Sequence, residues 1–507
     1  MVAFILSNLI GLIRQILVAN AFGTGLEMEA FNAANRVSET LFNLVAGGAL
    51  ASAFIPTFTG LLTKRQHQEA WELASSICNL LLMILTVISA VAAIFSRQLV
   101  HYVLAPGFAA DPYKELLTAG LMRIMLPSAV IFGASGLIMG ILNAHQVFFI
   151  PALAPSMYQI GMIFGLLVLK PSMGISGLAW GVVIGAGLHL ALQIPALIRQ
   201  RGHYYLMLGL NNRTVREVGR LMGPRLLGVA VVQLNFWVNT RLASQQPEGS
   251  VTGIVVAFTL LLMPQAAIAQ SIAIAALPTL SSQFALGKLE DMRSSLSASM
   301  RGMLLLSIPA SLGLILLRKP IIVLLYQRGE FDIHSTELVA WALLWYAAGL
   351  VGHCLVEILA RAFYAMHDTK TPVFVGVAAM SLNVFFSILF SRLFWSIGWA
   401  PHGGLALANS TATALEMVGL VVIMRIRLKG LDSRRLFEGG AQALLGSFVM
   451  GIVIWLWMSQ SYFNAPWFVA IGGVVFGVAV YLLILWVLRV PEVRMVVRKL
   501  SSWISPF

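Results

Sequence analysis

Four ionisable side chains fall where the surrounding sequence is apolar. Arg14 lies in the first apolar stretch, and Glu29, Arg36 and Glu39 lie in the second. An ionised group at the centre of a bilayer costs about 2.5–3.5 kcal/mol on insertion scales, so it persists where it is paired or faces a wet cavity. Glu29 and Arg36, seven residues apart, share one helix face over two turns. Arg36 and Glu39, at i and i+3, are spaced to pair directly. The planar fork of arginine makes two parallel charge-assisted hydrogen bonds to phosphate oxygens. Arg14 and Arg36 are therefore candidates for holding an anionic phosphate group. The alternative is structural, with Arg14 paired to Glu29 and Arg36 to Glu39, tying helices together. Glu29, near the outer end of its stretch, is also a candidate gate latch.

The second half carries fewer such groups. Glu357 and Arg361 form an i, i+4 pair inside an apolar run. Arg225, beside Pro224, is expected at the cytoplasmic entrance, where it would meet head groups. Arg241 is placed to snorkel, and Arg123 and Arg301 either snorkel or enter the interior. Asn239, Asn383 and Asn409 are mid-membrane amides. Asn239 and Asn383, with the hydroxyls of Ser387 and Thr411, are a candidate site for a monovalent cation such as sodium. The alternative is that these groups cross-link helices. His189 reads as a satisfied polar residue, and Cys78 and Cys354 as small packing residues.

The sequence has no G-x-x-x-x-G-K-[ST] loop, paired catalytic carboxylates, triad or metal-ligand cluster. No cofactor and no enzyme activity are expected. Transport would draw on the membrane potential or an ion gradient.

The elements that must position these groups are membrane helices. Of 507 residues, 59% are hydrophobic and 10% charged, and mean hydropathy is +0.87. A soluble domain has roughly 25% charged residues. So few charges cannot cover a soluble surface of this size. The net charge of +13 lies in short loops, which marks topology and argues against nucleic acid as a partner.

A span needs roughly 20 apolar residues, which predicts about fourteen, near 2–22, 28–60, 71–96, 115–142, 148–170, 174–198, 216–245, 250–284, 294–317, 335–366, 371–396, 402–426, 436–458 and 466–489. Basic residues follow the even-numbered spans: Lys64 and Arg65, then Arg199, Arg201 and Arg213, then Arg425 and Arg427, then Arg489 and Arg494. Both termini are therefore expected in the cytoplasm. Residues 199–220 read as the longest polar stretch, a connector between halves. Gly47-Gly48, Pro127, Pro264 and Pro278 are candidate bending points.

The chain also repeats. A-F-I-P-T-F around Pro56 returns as A-A-L-P-T-L around Pro278, Gly107-Phe108 returns near Gly329–Phe331, and Ala144 before Pro151 returns as Ala365 before Pro372, each about 222 residues on. That offset holds six spans, so the copies share one orientation and are expected to be lobes related by an axis along the membrane normal. The expected organisation is all-α, with a six-helix lobe over 1–200, a second lobe with its connector over 201–430, and two further helices and a cytoplasmic tail over 431–507.

Several stretches resemble the MviN/MurJ lipid II flippases of the multidrug/oligosaccharidyl-lipid/polysaccharide exporter superfamily. These are L-F-N-L-V-A-G-G-A-L-A-S-A-F-I-P-T-F (41–58), M-G-P-R-L-L-G (222–228), A-L-P-T-L-S (276–281), L-Y-Q-R-G-E-F-D (325–332) and A-F-Y-A-M-H-D-T-K-T-P (362–372). The resemblance runs from about residue 5 to 490. It implies two six-helix lobes and two C-terminal helices. It also implies translocation of the undecaprenyl-pyrophosphate-linked peptidoglycan precursor across the bacterial cytoplasmic membrane by alternating access.

Against the enterobacterial pattern, Asn8 replaces an arginine while Arg14 and Glu29 are kept. Phe42-Asn43 replaces an Arg-Arg pair, Gly47 a glutamate, and Phe258-Thr259 an Asp-Arg pair. The substrate-binding candidates are Arg14, Glu29, Arg36, Glu39 and Arg225. The expected partners are the lipid-linked precursor and membrane lipids, with cell-wall synthesis or division proteins as further candidates. Two alternatives differ in class: a related exporter of another polyprenyl-linked glycan or a drug, and a non-transporting cell-wall scaffold.

Overall fold

The computed structural model describes residues 2–46, 49–460 and 465–493. Every regular element among them is a helix. The chain divides into two compact units, Met1–Thr252 with Arg328–Asp332, and Gly253–Gln327 with Ile333–Phe507.

The first unit opens with α1 (Val2–Phe22), α2 (Leu26–Ala46) and α3 (Ala49–Thr63), continues through α4 (His67–Ile94), α5 (Pro112–Ala144), α6 (Phe149–Phe164) and α7 (Ile175–Ala191), and includes α8 (Arg213–Ser244). Helix starts follow capping chemistry. The Asp111 side chain accepts the amides of Tyr113 at 3.0 Å and Lys114 at 3.3 Å, with Pro112 in the first turn of α5. Asn212 accepts the Thr214 amide at 2.8 Å and starts α8. Glu27 and Glu29 lie in the first turn of α2, where negative charge meets the positive end of the helix dipole. α6 and α7 pack backbone to backbone through glycines: a Cβ added at Gly161 would stand 2.2 Å from Gly185 Cα.

The second unit holds α9 (Ser250–Gln265), apart from its first three residues, and α10 (Ser271–Ala285). It continues with α11 (Leu289–Tyr326), α12 (Ile333–Ala348), α13 (Leu350–Ala365), α14 (Lys370–Ser396), α15 (His402–Arg427), α16 (Ser433–Ser459) and α17 (Pro466–Val487). α11 packs against α12, α13, α16 and α17, and α14 against α15. α12 and α13 meet at a 48° bend at Gly349, where a Cβ would stand 2.5 Å from Ser410 Oγ.

Ten helices among the described residues are long and apolar enough to cross a membrane, or twelve when each of two bent pairs counts as one span. The expected fourteen is higher than that count; outside it, the described residues hold two shorter apolar helical stretches, Leu6–Phe22 in α1 and Ala53–Thr63 in α3. α2 is more polar than these because it carries Glu27, Glu29, Arg36 and Glu39.

The internal repeat reappears as geometry. α3 and α10 are both 15 residues long, and each carries a proline, Pro56 and Pro278, at its eighth position. α10 continues the span that α9 begins, Ser250–Ala285. Gly47 and Gly48 lie outside the described residues, while α9 and α10 are joined by a wider π-type turn, Ala266–Gln270.

The connector differs from its sequence reading. Its middle is an extended, largely apolar strap on α4, because Asn79 satisfies its backbone. Asn79 Nδ2 donates to the carbonyls of Tyr205 at 3.1 Å and Met207 at 2.9 Å, and Ser75 Oγ accepts the Tyr205 amide. Tyr204, Leu206 and Leu210 face outward. The first unit includes α8. Trp237 Nε1 donates to Thr40 Oγ1 at 2.8 Å, and Gln233 approaches the same hydroxyl.

Candidate functional site

The first unit brings α1, α2, α6 and α8 around a small group of charged and polar side chains. Arg14 projects from α1 toward α6, with Nη1 3.2 Å from the thioether sulfur of Met162, a weak acceptor. Its Nε is buried without an acceptor, and no carboxylate among the described residues reaches it. The pairing of Arg14 with Glu29 considered from sequence does not occur. Tyr158, one turn before Met162 on α6, lies within electrostatic reach of both Arg14 and Glu39, so these charges share one neighbourhood.

Arg36 and Glu39 do pair, at 3.0 Å between Nη1 and Oε2. Asn35 donates to the other Glu39 oxygen at 2.8 Å. The Arg36 guanidinium lies over the Phe236 ring of α8, 5.1 Å from its centroid, with Nε buried and without an acceptor. Arg36 is mostly buried, whereas Glu39 is 44% exposed on its side chain. The acid thus holds the stem of the arginine from the wetter side and leaves part of its fork uncommitted.

Glu29 stands apart from this group. It is 1% exposed, and both carboxylate oxygens are engaged. Lys114 Nζ of α5 donates to Oε2 at 2.5 Å, and the Val251 amide donates to Oε1 at 2.8 Å. Lys114 also lies 4.2 Å from the Phe108 ring centroid. Glu29 therefore clamps the first turns of α2, α5 and α9. Lys114 was not singled out from sequence. The signal was a lysine three residues after a capping aspartate, inside a run otherwise fit to span.

The other sequence candidates scatter. The side chain of Arg225 lies outside the described residues. Asn239 belongs to the first unit and Asn383, Ser387 and Thr411 to the second. Ser387 Oγ donates to Asn383 Oδ1 at 3.1 Å, while Asn383 Nδ2 is buried without an acceptor. Thr411 donates to its own helix, to the Leu407 carbonyl. Glu357 accepts from Arg361 at 2.7 Å. Arg123 donates to Ser96 Oγ and the Ala93 carbonyl at the end of α4.

Arg301 is structural. Its Nη2 donates to Gln442 Oε1 at 2.9 Å, and its Nε lies 2.9 Å from Glu492 Oε1, joining α11 to the C-terminal helices. Arg241 donates to the carbonyls of Tyr102 and Val103. His189 sits in a buried network with Ser135 and Gln193. Where the chain departs from the enterobacterial charges, rings pack: Phe42 with Phe132 at 4.7 Å and Phe258 with Tyr346 at 5.3 Å between centroids.

Sequence reasoning also missed Glu416, a carboxyl inside α15 that forms no ion pair among the described residues. It was visible as the single acid in an apolar run.

Described residues that are helical in every regular element, with ten to twelve apolar spans and, among them, an arginine that no carboxylate reaches, have the form of a multi-pass membrane transporter. The family model described as lipid II flippase MurJ matches residues 18–474, and the chain belongs to that family. It is 30% identical over 435 residues to a lipid II flippase MurJ of Burkholderia cenocepacia, covering 84% of this chain and 82% of that protein. It is also 30% identical over 505 residues to a probable lipid II flippase MurJ of Vibrio cholerae, covering 96% and 94%. A solved lipid II flippase MurJ in an inward closed conformation superposes with a TM-score of 0.81 at 24% identity, over 95% of this chain and 97% of that one, and shows the shared fold.

Proposed function

We propose that this chain is a flippase that carries the undecaprenyl-pyrophosphate-linked peptidoglycan precursor, lipid II, across the bacterial cytoplasmic membrane. It makes and breaks no covalent bond. Two six-helix lobes alternate access to a site between membrane faces, and the C-terminal helices α16 and α17 follow them. Both termini lie in the cytoplasm, as the Lys and Arg bias of the loops favours.

The observation that carries this reading is Arg14: a guanidinium inside α1, with no carboxylate partner among the described residues and a buried Nε lacking an acceptor. A charge in that position calls for an anion. A diphosphate supplies paired oxygens at the spacing of the arginine fork. Arg36 is the second donor, aimed by Glu39 and Phe236. Glu29 is the latch at the outer end rather than a direct ligand, since Lys114 and Val251 occupy its oxygens. Arg225 receives the head group at the cytoplasmic entrance. Of the cation-site candidates, Asn383 and Ser387 lie together, 3.1 Å apart, and their side-chain oxygens are the groups that would face a monovalent cation.

An apolar cleft of about 350 Å³ between α11, α13 and α16, lined by residues including Ile308, Leu312, Val351 and Phe448, suits an isoprenoid tail.

The test is rescue of a bacterium depleted of its own lipid II flippase. The wild-type chain restores growth, while Arg14→Ala and Arg36→Ala, inserted at equal levels, do not. A correctly inserted wild type that fails to rescue would overturn the assignment.

A further inference from the structure

Among the described residues, the carboxyls embedded in apolar helices are paired, with one exception. Glu29 meets Lys114, Glu39 meets Arg36 and Glu357 meets Arg361. Glu416 forms no hydrogen bond or ion pair among the described residues. It lies fourteen residues after His402 and eleven before Arg427. At 1.5 Å per residue that places it about 21 and 16 Å along the helix from either end, the middle of a span.

Its side chain lies along the seam between α15 and α14. A Cβ built on Gly376 of α14 would come 3.4 Å from Glu416 Oε1, and one on Gly419 would come 3.3 Å from Val375. The bare backbone at Gly376 makes room for the carboxyl group and offers it no side chain.

The elements packed against α15 are α12, α13 and α14. Their charged groups are engaged elsewhere or stand at helix ends. On α13, Glu357 is taken by Arg361, and His353 lies 3.1 Å from Asn409. On α12, Glu337 is taken by Lys319, and His334 lies in the first turn. On α14, Lys370 is the first residue and Arg392 lies in the last two turns. On α15 itself, Arg427 is taken by Asp368, and Arg425 lies in the last turn.

We propose that Glu416 is a proton-binding site in the middle of α15. An ionised carboxylate there would have neither cation nor donor, the costliest state available to it in hydrocarbon. The neutral acid has no such cost. The reaction is the simplest possible: the carboxylate takes up one proton to form the acid, and no other bond changes. A proton entering or leaving there moves one unit of charge inside the membrane, so its occupancy responds to both pH and membrane potential. This assignment does not rest on the identity of the transported substrate.

Infrared difference spectra of the full chain in lipid membranes test it. At neutral pH the wild type carries the carbonyl band of a protonated carboxyl, which Glu416→Gln removes and Glu416→Asp displaces. If Glu416→Gln instead removes a carboxylate band, Glu416 is ionised and the proposal is overturned. Dicyclohexylcarbodiimide, which reacts with protonated carboxyls in apolar surroundings, gives a second readout on wild-type protein alone. Labelling of the Glu416 peptide at neutral pH that falls as pH rises is expected. Labelling absent at neutral pH and gained only in acid contradicts the site.

Discussion

Lys114 and Glu29, 85 residues apart, meet at 2.5 Å with both side chains nearly removed from solvent. The pair ties α5 to the first turn of α2, and the Val251 amide extends the clamp to α9. Breaking one side of a buried pair leaves an uncompensated charge, which costs about 3–5 kcal/mol. Glu29→Gln and Lys114→Met are each expected to lower the melting temperature of the purified protein clearly. The double variant is expected to recover part of the loss. A double variant as unstable as the sum of the singles would show that the two residues do not act as a pair.

Arg14 and Arg36 predict different responses to lysine. Arg36 is already paired and stacked, so Arg36→Lys loses the ring contact and the fork while keeping the Glu39 partner. Arg14 has only a thioether, so its value lies in what an anion supplies. Loss of a charged hydrogen bond costs about 1.5–3 kcal/mol, or roughly tenfold to a hundredfold in affinity. Binding of a diphosphate-bearing lipid to Arg14→Ala is expected to weaken by that factor with the melting temperature little changed. A large fall in melting temperature with affinity intact would make Arg14 structural.

Arg301 holds the C-terminal pair. Its stem passes beside Gly439, where a Cβ would stand 2.6 Å from Arg301 Cγ, and Tyr481 Oη donates to the Leu305 carbonyl at 2.6 Å. Glu492 is about a third exposed, which reduces the value of the charge pair. Arg301→Leu is expected to cost about 1–3 kcal/mol and to raise hydrogen exchange in Ser433–Ser459 more than in α14. Unchanged exchange in that helix would remove the anchoring role.

Asp368, in the loop before α14, contributes a pH dependence of its own. The Thr371 amide at 3.0 Å and the Thr371 hydroxyl at 2.7 Å hold its carboxyl below the ordinary aspartate range, and Arg427 adds to this. A depressed carboxyl stabilises the fold above its unfolded value, about 3.9, and the stabilisation fades as pH falls through the folded value. The stability gap between wild type and Asp368→Asn is therefore expected to be constant from neutral pH down to mild acid and to close below about pH 4. A gap that widens in acid would reverse the sign and refute the cause.

The helical, membrane-spanning class was legible because apolar runs of sufficient length have one physical outcome in lipid. The repeat was legible too, since Pro56 and Pro278 mark the same position in matched helices. What hydropathy could not supply was partnership. Arg36 with Glu39 was readable because helix geometry sets neighbours three residues apart. Glu29 with Lys114, and Arg301 with Gln442 and Glu492, depend on which helices pack, and no local spacing encodes that. The strap over 203–210 was hidden for the same reason: its fixed path depends on Asn79, more than a hundred residues earlier. Glu416 was readable from composition alone and was passed over because it had no partner in sequence to draw attention to it.

The most direct measurement is translocation of a fluorescent lipid II analogue in proteoliposomes holding this chain, read by chemical quenching of the outer leaflet. The wild type moves the analogue between leaflets when a membrane potential or ion gradient is imposed, while Arg14→Ala and Arg36→Ala, equally folded, do not. Movement at wild-type rates by both variants, or none by the wild type under any gradient, would contradict the account.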